Sequence, residues 1–269
     1  MAEPLNSLTI FPLGDAAITL ELGPCIDEHH NIRALAIHDW MQAHRFPGIL
    51  DIIVAYSSVS VFYDPAVVWA SGVAGTKGVG SWVEELLWRG WVETGRAGAS
   101  GGGAGSVAGD AAGSGTEARV GAGSGSERRH LFRIPVCYEG DFAPDLEEVA
   151  ERQGLSAREV IELHCAGVYR VYMIGFLPGF PYLGTVDQRL EVPRKARPVS
   201  VTAGGVGIAG KQTGIYPLSS PGGWSIIGRT PVKLFEPEAD PPVFLRTGDR
   251  VEFYAISPGE FRRLSGRPV

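Results

Sequence analysis

The residues best suited by type and spacing to do chemistry lie in the stretch GGVGIAGKQTGIYP, residues 204–217. Gly205, Gly207 and Gly210 fit the G-x-G-x-x-G fingerprint of a dinucleotide site. Gly205, Gly210 and Lys211 also fit a phosphate loop, until Gln212 stands where a Ser or Thr would hold magnesium. Both chemistries need a helix after the glycines, because its N-terminal N–H groups receive the phosphate. No helix can follow here, since Gly214, Pro217, Pro221, Gly222 and Gly223 crowd the next segment. Two readings remain. Either the glycines let the backbone approach a bound anion, with Lys211 adding charge, or they turn the corners of a β-structure.

Other reactive types are weaker. His164 and Cys165 are adjacent, but neighbours on a helix point about 100° apart, so they make a poor nucleophile–base pair. Cys25, Cys137 and Cys165 lack any C-x-x-C spacing, which suggests neither a disulfide framework nor a zinc site. Asp15, in PLGDAA, reads as a turn residue bonding its own backbone.

The elements that must position these residues fall into two parts. SLTIFPLG and AAITLEL read as strands around Gly14-Asp15, and residues 26–46 predict a helix with Ile32, Leu35, Ala36, Trp40 and Met41 on its apolar face. ILDIIVAYSSVSVFYD supplies two further strands, and SWVEELLWRGW a second helix with Val83, Leu86 and Leu87 inward. This β-β-α-β-β-α order predicts a two-layer α/β domain over residues 1–95, with the helices on one side of an antiparallel sheet. Residues 96–127, of which 24 are Gly, Ala or Ser and none is aromatic, predict a flexible insertion. Residues 128–269 open with the strand HLFRIPVCY, then two short helices, the second started by a Ser156/Glu159 capping box. From Tyr169 onward, YRVYMIGF, PVSVTA, WSIIGRT, VKLFEP and DRVEFYAI alternate with Gly- and Pro-rich turns, which predicts a β-barrel or sandwich and no further helix. The whole is an α+β chain.

The 269 residues are 44% hydrophobic and 20% charged, with net charge −6 and no basic block. That disfavours nucleic-acid and anionic-membrane partners. The acidic, signal-free N-terminus and the lack of a long apolar run predict a cytoplasmic protein.

YRVYMIGFLPGFPYLG, then VPRKARPVSVTAGGVGIAGKQTGIYPLSSPGGWSIIGRTPVKLFEP, then PPVFLRTGDRVEFYAI, together resemble the 5-oxoprolinase B-subunit family. This family also covers allophanate hydrolase subunit 1 and the kinase A inhibitor, and FPLGDAAITLELG is similar to its opening motif. The resemblance implies a cyclophilin-like β-barrel after the N-terminal α/β domain. It implies subunits A and C as partners in the opening of 5-oxoproline to glutamate, with ATP and magnesium acting at the level of the complex. Val199 and Ser200 stand near an Arg usual in the family, Thr202 replaces Pro, and Gly205 replaces Ser.

Opening an unstrained lactam needs anion stabilisers and a cation for the 5-oxoproline carboxylate. The matched motifs offer Lys211, Gln212 and Thr213 as polar loop contacts, Arg229 and Thr230 as anion binders, Tyr182 and Tyr216 as pocket walls, and His164 as an acid or base, with Lys211 and His164 the catalytic candidates. Two other functions fit the same resemblance: a regulatory inhibitor of a sensor histidine kinase, and a carboxyltransferase or allophanate hydrolase-type component of urea metabolism.

Deleting residues 97–126 is expected to leave the thermal unfolding transition almost unmoved, because such chain adds no core and loop length changes closure entropy slowly. Loss of cooperative melting in the deletion variant would show that the segment packs on a domain.

Overall fold

The computed structural model describes residues 8–99 and 130–266. Most of the expected insertion, from residue 100 on, lies outside the described residues. Two sheets divide the chain. Strands β1 (Thr9–Pro12) and β2 (Ala17–Glu21) lead to helix α1 (Glu28–Ala43), and β3 (Ile49–Val54) and β4 (Ser58–Tyr63) to α2 (Pro65–Ser71) and α3 (Val79–Ala99). The strands form one antiparallel sheet in the order β1-β2-β4-β3. Its core face presents Ile18, Leu20, Val59 and Val61 to Leu35, Ile37 and Met41 of α1 and to Val83, Leu86 and Leu87 of α3. Helix α2 is an addition to the expected elements. Asp64 caps it by accepting from Ala66 and Val67, and Pro65 occupies its first turn.

The inward face of α1 differs from expectation at one turn. Ile32 is exposed, whereas Asn31 is wholly buried. Its Nδ2 donates to the carbonyls of Tyr172 (2.9 Å) and Tyr56 (3.1 Å), and its Oδ1 accepts from Arg170 Nε at 2.9 Å. Tyr172 and Arg170 belong to the second sheet, so the apolar period of the helix gives way where the two lobes join. The buried Arg170 guanidinium also lies 3.6 Å from Glu28, at the start of α1, which in turn accepts from Arg250.

The second lobe runs β5 (Leu131–Val136), α4 (Leu146–Gln153), α5 (Ala157–Ala166), β6 (Val168–Ile174), β7 (Pro181–Gly184), β8 (Val199–Val201), β9 (Gly205–Ala209), β10 (Gln212–Ile215), β11 (Ser220–Gly222), β12 (Ser225–Arg229), β13 (Arg250–Ala255) and α6 (Pro258–Ser265). The order in its seven-stranded sheet is β12-β9-β10-β7-β6-β13-β5, with β8 and β11 as a separate ribbon. The sheet curls until its edges meet: Cys137 N donates to Arg229 O at 2.8 Å, and Arg229 N donates back at 2.9 Å. Its concave face packs on α4 and α5 through Val149, Val160, Val171, Leu183, Ile208 and Phe253.

The Ser156/Glu159 capping box forms as expected. Helix α6 corrects the expectation of a helix-free C-terminal stretch, and its cause is a second capping box, Ser257 with Glu260, with Pro258 at the first position. The run VKLFEP forms no strand. Only Phe235 pairs, as an isolated bridge to Val243, because Pro237, Pro241 and Pro242 have no N–H to extend a ladder.

His164 lies inside this lobe with no exposed surface. Its Nδ1 accepts from the Tyr138 hydroxyl at 2.8 Å, and its Nε2 donates to Thr213 Oγ1 at 2.9 Å. Thr213 in turn donates to the Gly207 carbonyl at 3.0 Å, and Cys165 Sγ donates to Tyr138 at 3.6 Å. These hydrogen bonds run in one direction, from thiol to carbonyl, and fix the neutral imidazole with its proton on Nε2. Stacking on Phe253, at 4.6 Å between ring centres, completes the enclosure. Burial pushes the His164 pKa down to about 3.

Two outcomes are expected. Asn31→Ala should lower the unfolding free energy by about 2–3 kcal/mol, because it strips hydrogen bonds from a buried guanidinium and two buried carbonyls; denaturant unfolding measures this, and an unchanged midpoint would refute it. His164 stays neutral in the native state but titrates near its ordinary value when unfolded, so stability should fall by about 1.4 kcal/mol per pH unit as pH drops from about 6.5 toward 3. His164→Gln should reduce the slope of unfolding free energy against pH by about one proton, and an unaltered slope would show that the ring titrates in the folded protein.

Candidate functional site

The glycine stretch that attracts attention in the sequence folds as a β-hairpin. Strands β9 and β10 pair from Val206↔Ile215 to Ala209↔Gln212, leaving Gly210 and Lys211 as a two-residue turn. Gly210 has φ +57°, the conformation that puts glycine first in a type II′ turn. At the other end Gly204, φ +84°, lies so close to Thr230 that any Cβ would fall 2.3 Å from its carbonyl oxygen. The glycines thus serve the turn and the strand contacts, and no helix N-terminus follows for a phosphate to meet.

Alternation along β10 sorts its side chains. Thr213 points into the core, to His164. Gln212 points the other way, where its Oε1 accepts from the Tyr56 hydroxyl of the first lobe at 3.1 Å. The Gln212 Nε2 is buried and has no hydrogen-bond partner among the described residues. Around it stand aromatic rings from four segments. Tyr56 meets Tyr182 edge-on at 5.9 Å, Tyr182 packs on Trp224 at 5.9 Å and Phe180 at 4.8 Å, and Phe180 meets Tyr216 at 5.0 Å. The loop before β7 carries Phe176 at φ +66°, an exposed ring set edge-on to Phe180. Such an outlier is held only where its surroundings enforce it.

Electrostatically the cluster is a set of neutral donors. Burial pushes the Tyr56 phenol up to about 12, and burial also raises Tyr182, Tyr216 and Tyr172, whose ring lies 6.1 Å from that of Tyr56. At neutral pH all four keep their protons. An amide N–H and phenol O–H groups on an apolar wall suit a carbonyl or an anion, and leave a nucleophile to be supplied from elsewhere.

The sequence candidates separate accordingly. Tyr182, Lys211 and Gln212 come together at the turn end of the hairpin, with Lys211 exposed at the tip. Tyr216 lies beneath Phe180, almost wholly buried. Arg229 and Thr230 sit at the opposite end of β9, where Arg229 pairs with Gly205. There Arg229 Nε donates to the Ala203 carbonyl at 2.8 Å, its guanidinium lies over Phe261, and Thr230 Oγ1 accepts from Val232 N. His164 and Thr213 bond one another on the concave face, enclosed from solvent, which removes both from contact with a ligand in the aromatic cluster. Sequence reasoning missed Tyr56 and Trp224. Trp224 stands inside the segments that carry the family resemblance, whereas nothing in VAYSS marks Tyr56.

The carboxyltransferase domain family, subdomains C and D, matches residues 8–91 and 114–245. The B subunit of 5-oxoprolinase from Bacillus subtilis (strain 168) is 41% identical over 254 residues, which cover 93% of either chain. The solved structure of TTHA0988 superposes with a TM-score of 0.66 at 34% identity over 90% of this chain, which spans only 40% of that one. The Kluyveromyces lactis urea carboxylase reaches a TM-score of 0.65 over 95% of this chain and 22% of its own, at 17% identity, a likeness of fold alone. With a family match that takes in both sheets and a relative aligned along nearly its full length, the chain belongs to the 5-oxoprolinase B-subunit family.

Proposed function

We propose that this chain is a non-autonomous subunit of an ATP-dependent 5-oxoprolinase, opening 5-oxoproline to L-glutamate together with subunits A and C. The observation that carries the reading is the 41% identity to a 5-oxoprolinase B subunit along 93% of both chains. The site agrees with it in chemical character: an unpartnered amide donor and neutral phenols lie together in a cluster of aromatic rings, groups suited to a small cyclic amide. In this reading Tyr182, Lys211 and Gln212 border the ligand, Tyr216 backs the wall, Arg229 and Thr230 hold the seam of the curled sheet, and His164 and Thr213 hold its core. The curled sheet is read as a cyclophilin-like barrel, supported by the Cys137–Arg229 pairing of its edges. Among the described residues no helix is long and apolar enough to cross a membrane, which is compatible with work in the cytoplasm.

ATP and magnesium belong to the assembled complex in this account. The glycine stretch does not fit a triphosphate, because its N–H groups are engaged in a hairpin ladder and Gln212 replaces the hydroxyl that would reach magnesium. What this chain contributes is binding and orientation. It can hold the lactam carbonyl by neutral donors and shield it with aromatic rings, while the activated nucleophile crosses from a partner.

The purified chain should release no glutamate from 5-oxoproline and should show no micromolar ATP binding by calorimetry, with Lys211→Ala unchanged. Mixed with the A and C subunits of its own organism it should produce glutamate and ADP together. A complex that assembles yet yields no glutamate, while the chain alone blocks autophosphorylation of a sensor histidine kinase, would replace this reading with the regulatory one.

A further inference from the structure

Lys211 and Arg229 are the cations that stand out in the sequence, but Arg194 is a third. Arg194 belongs to a short segment pinned at two points. Gly210 N, in the hairpin turn, donates to Val192 O at 2.6 Å, and Lys195 N donates to Gly223 O at 2.7 Å. The segment therefore passes between the turn that carries Gln212 and the strand end that carries Trp224. A Cβ at Gly223 would lie 3.8 Å from Arg194 Nε, an ordinary contact distance, which sets the guanidinium stem beside the residue that precedes Trp224.

Two neighbouring cations are neutralised: Lys195 by Asp145 at 2.7 Å, and Arg152 by Glu148 at 3.3 Å. Arg194 is exposed and pairs with no carboxylate among the described residues. With Arg152 and Lys195 it lines an open cleft of about 490 Å³ in which Glu148 is the acidic side chain. Its positive charge also opposes, in small part, the effect of burial on Tyr56, Tyr182 and Tyr216. A planar, permanently charged donor with no carboxylate partner among the described residues, carried beside Gly223 at the mouth of a cleft, is the receptor that a carboxylate requires.

We propose that Arg194 binds the carboxylate of a small amide-bearing acid at this cleft, an inference that rests on the reading of the chain as a 5-oxoprolinase subunit. The guanidinium supplies two parallel hydrogen bonds and sets the end-to-end orientation of the ligand, so the lactam is presented one way round. A compound with the same ring and no carboxylate loses that anchor.

In the reconstituted complex, Arg194→Gln should raise KM for 5-oxoproline about tenfold or more without impairing assembly, Arg194→Lys should fall between it and the wild type, and Arg158→Gln, a charge-loss control on α5, should match the wild type. An unchanged KM in Arg194→Gln overturns the assignment. Ligand-observed NMR on the isolated full chain tests the same residue without turnover. The wild type should bind 5-oxoproline in preference to 2-pyrrolidone, which lacks the carboxylate, and Arg194→Gln should lose the preference while keeping the wild-type melting curve. Equal binding of the two compounds by the wild type, no binding of 5-oxoproline, or a preference that survives in Arg194→Gln each overturns the proposal. A complex that yields no glutamate while the preference holds overturns the enzyme-subunit reading and leaves Arg194 as the carboxylate anchor.

Discussion

Arg170 carries a permanent charge in a position almost closed to water, and the arrangement of the two lobes follows from how that charge is satisfied. Burying an unpaired guanidinium costs far more than the net stability of a domain of this size. The charge is met by the Asn31 amide oxygen and by Glu28, both on α1, so helix and curled sheet must approach in one orientation. Asn31 has two ends, and its amide nitrogen bonds the Tyr56 and Tyr172 carbonyls, the backbone of the two rings that border the site. A contact that solves a desolvation problem therefore also sets the distance from Tyr56 to Gln212.

The two-residue period of the sheet does the rest of the sorting. One face of β10 turns Thr213 into a directional hydrogen-bond chain with His164, Tyr138 and Gly207, where every donor finds an acceptor. The other face turns Gln212 to the aromatic cluster, where one donor of its amide does not. Satisfied polar groups rigidify a core, whereas an unsatisfied one beside an apolar wall has capacity left for a ligand. Two adjacent residues in one short motif thus have opposite duties, and the pleat alone decides which is which.

Family membership and geometry address different questions. The match to carboxyltransferase subdomains C and D and to a 5-oxoprolinase B subunit spans both lobes, including the hairpin and the Trp224 segment. It bears on which family the chain belongs to. The geometry bears on what the site itself offers: neutral donors and a cluster of aromatic rings. The hairpin turn at Gly210 lies between the two subjects, because it reads as a nucleotide motif by spacing and acts as a type II′ turn by backbone angle.

By itself the sequence determined the local elements, because their signals are short-range. The 3.6-residue spacing of Leu35, Met41, Val83 and Leu87 predicts helices whose faces are indeed buried, and Ser156 with Glu159 predicts a helix start that forms. Proline and glycine after Lys211 exclude both nucleotide folds by residue type alone. Periodicity could not distinguish Asn31 from Ile32 as the inward residue of α1, since the reason is a hydrogen bond to Arg170, 139 residues away. Nor could it place His164 in the core and Gln212 against the aromatic cluster, or bring Tyr56 to a site whose other members lie beyond residue 170. Those outcomes rest on long-range pairing, on which strand face meets which core, and on which buried polar groups find partners. Such quantities exist only once the chain has closed on itself.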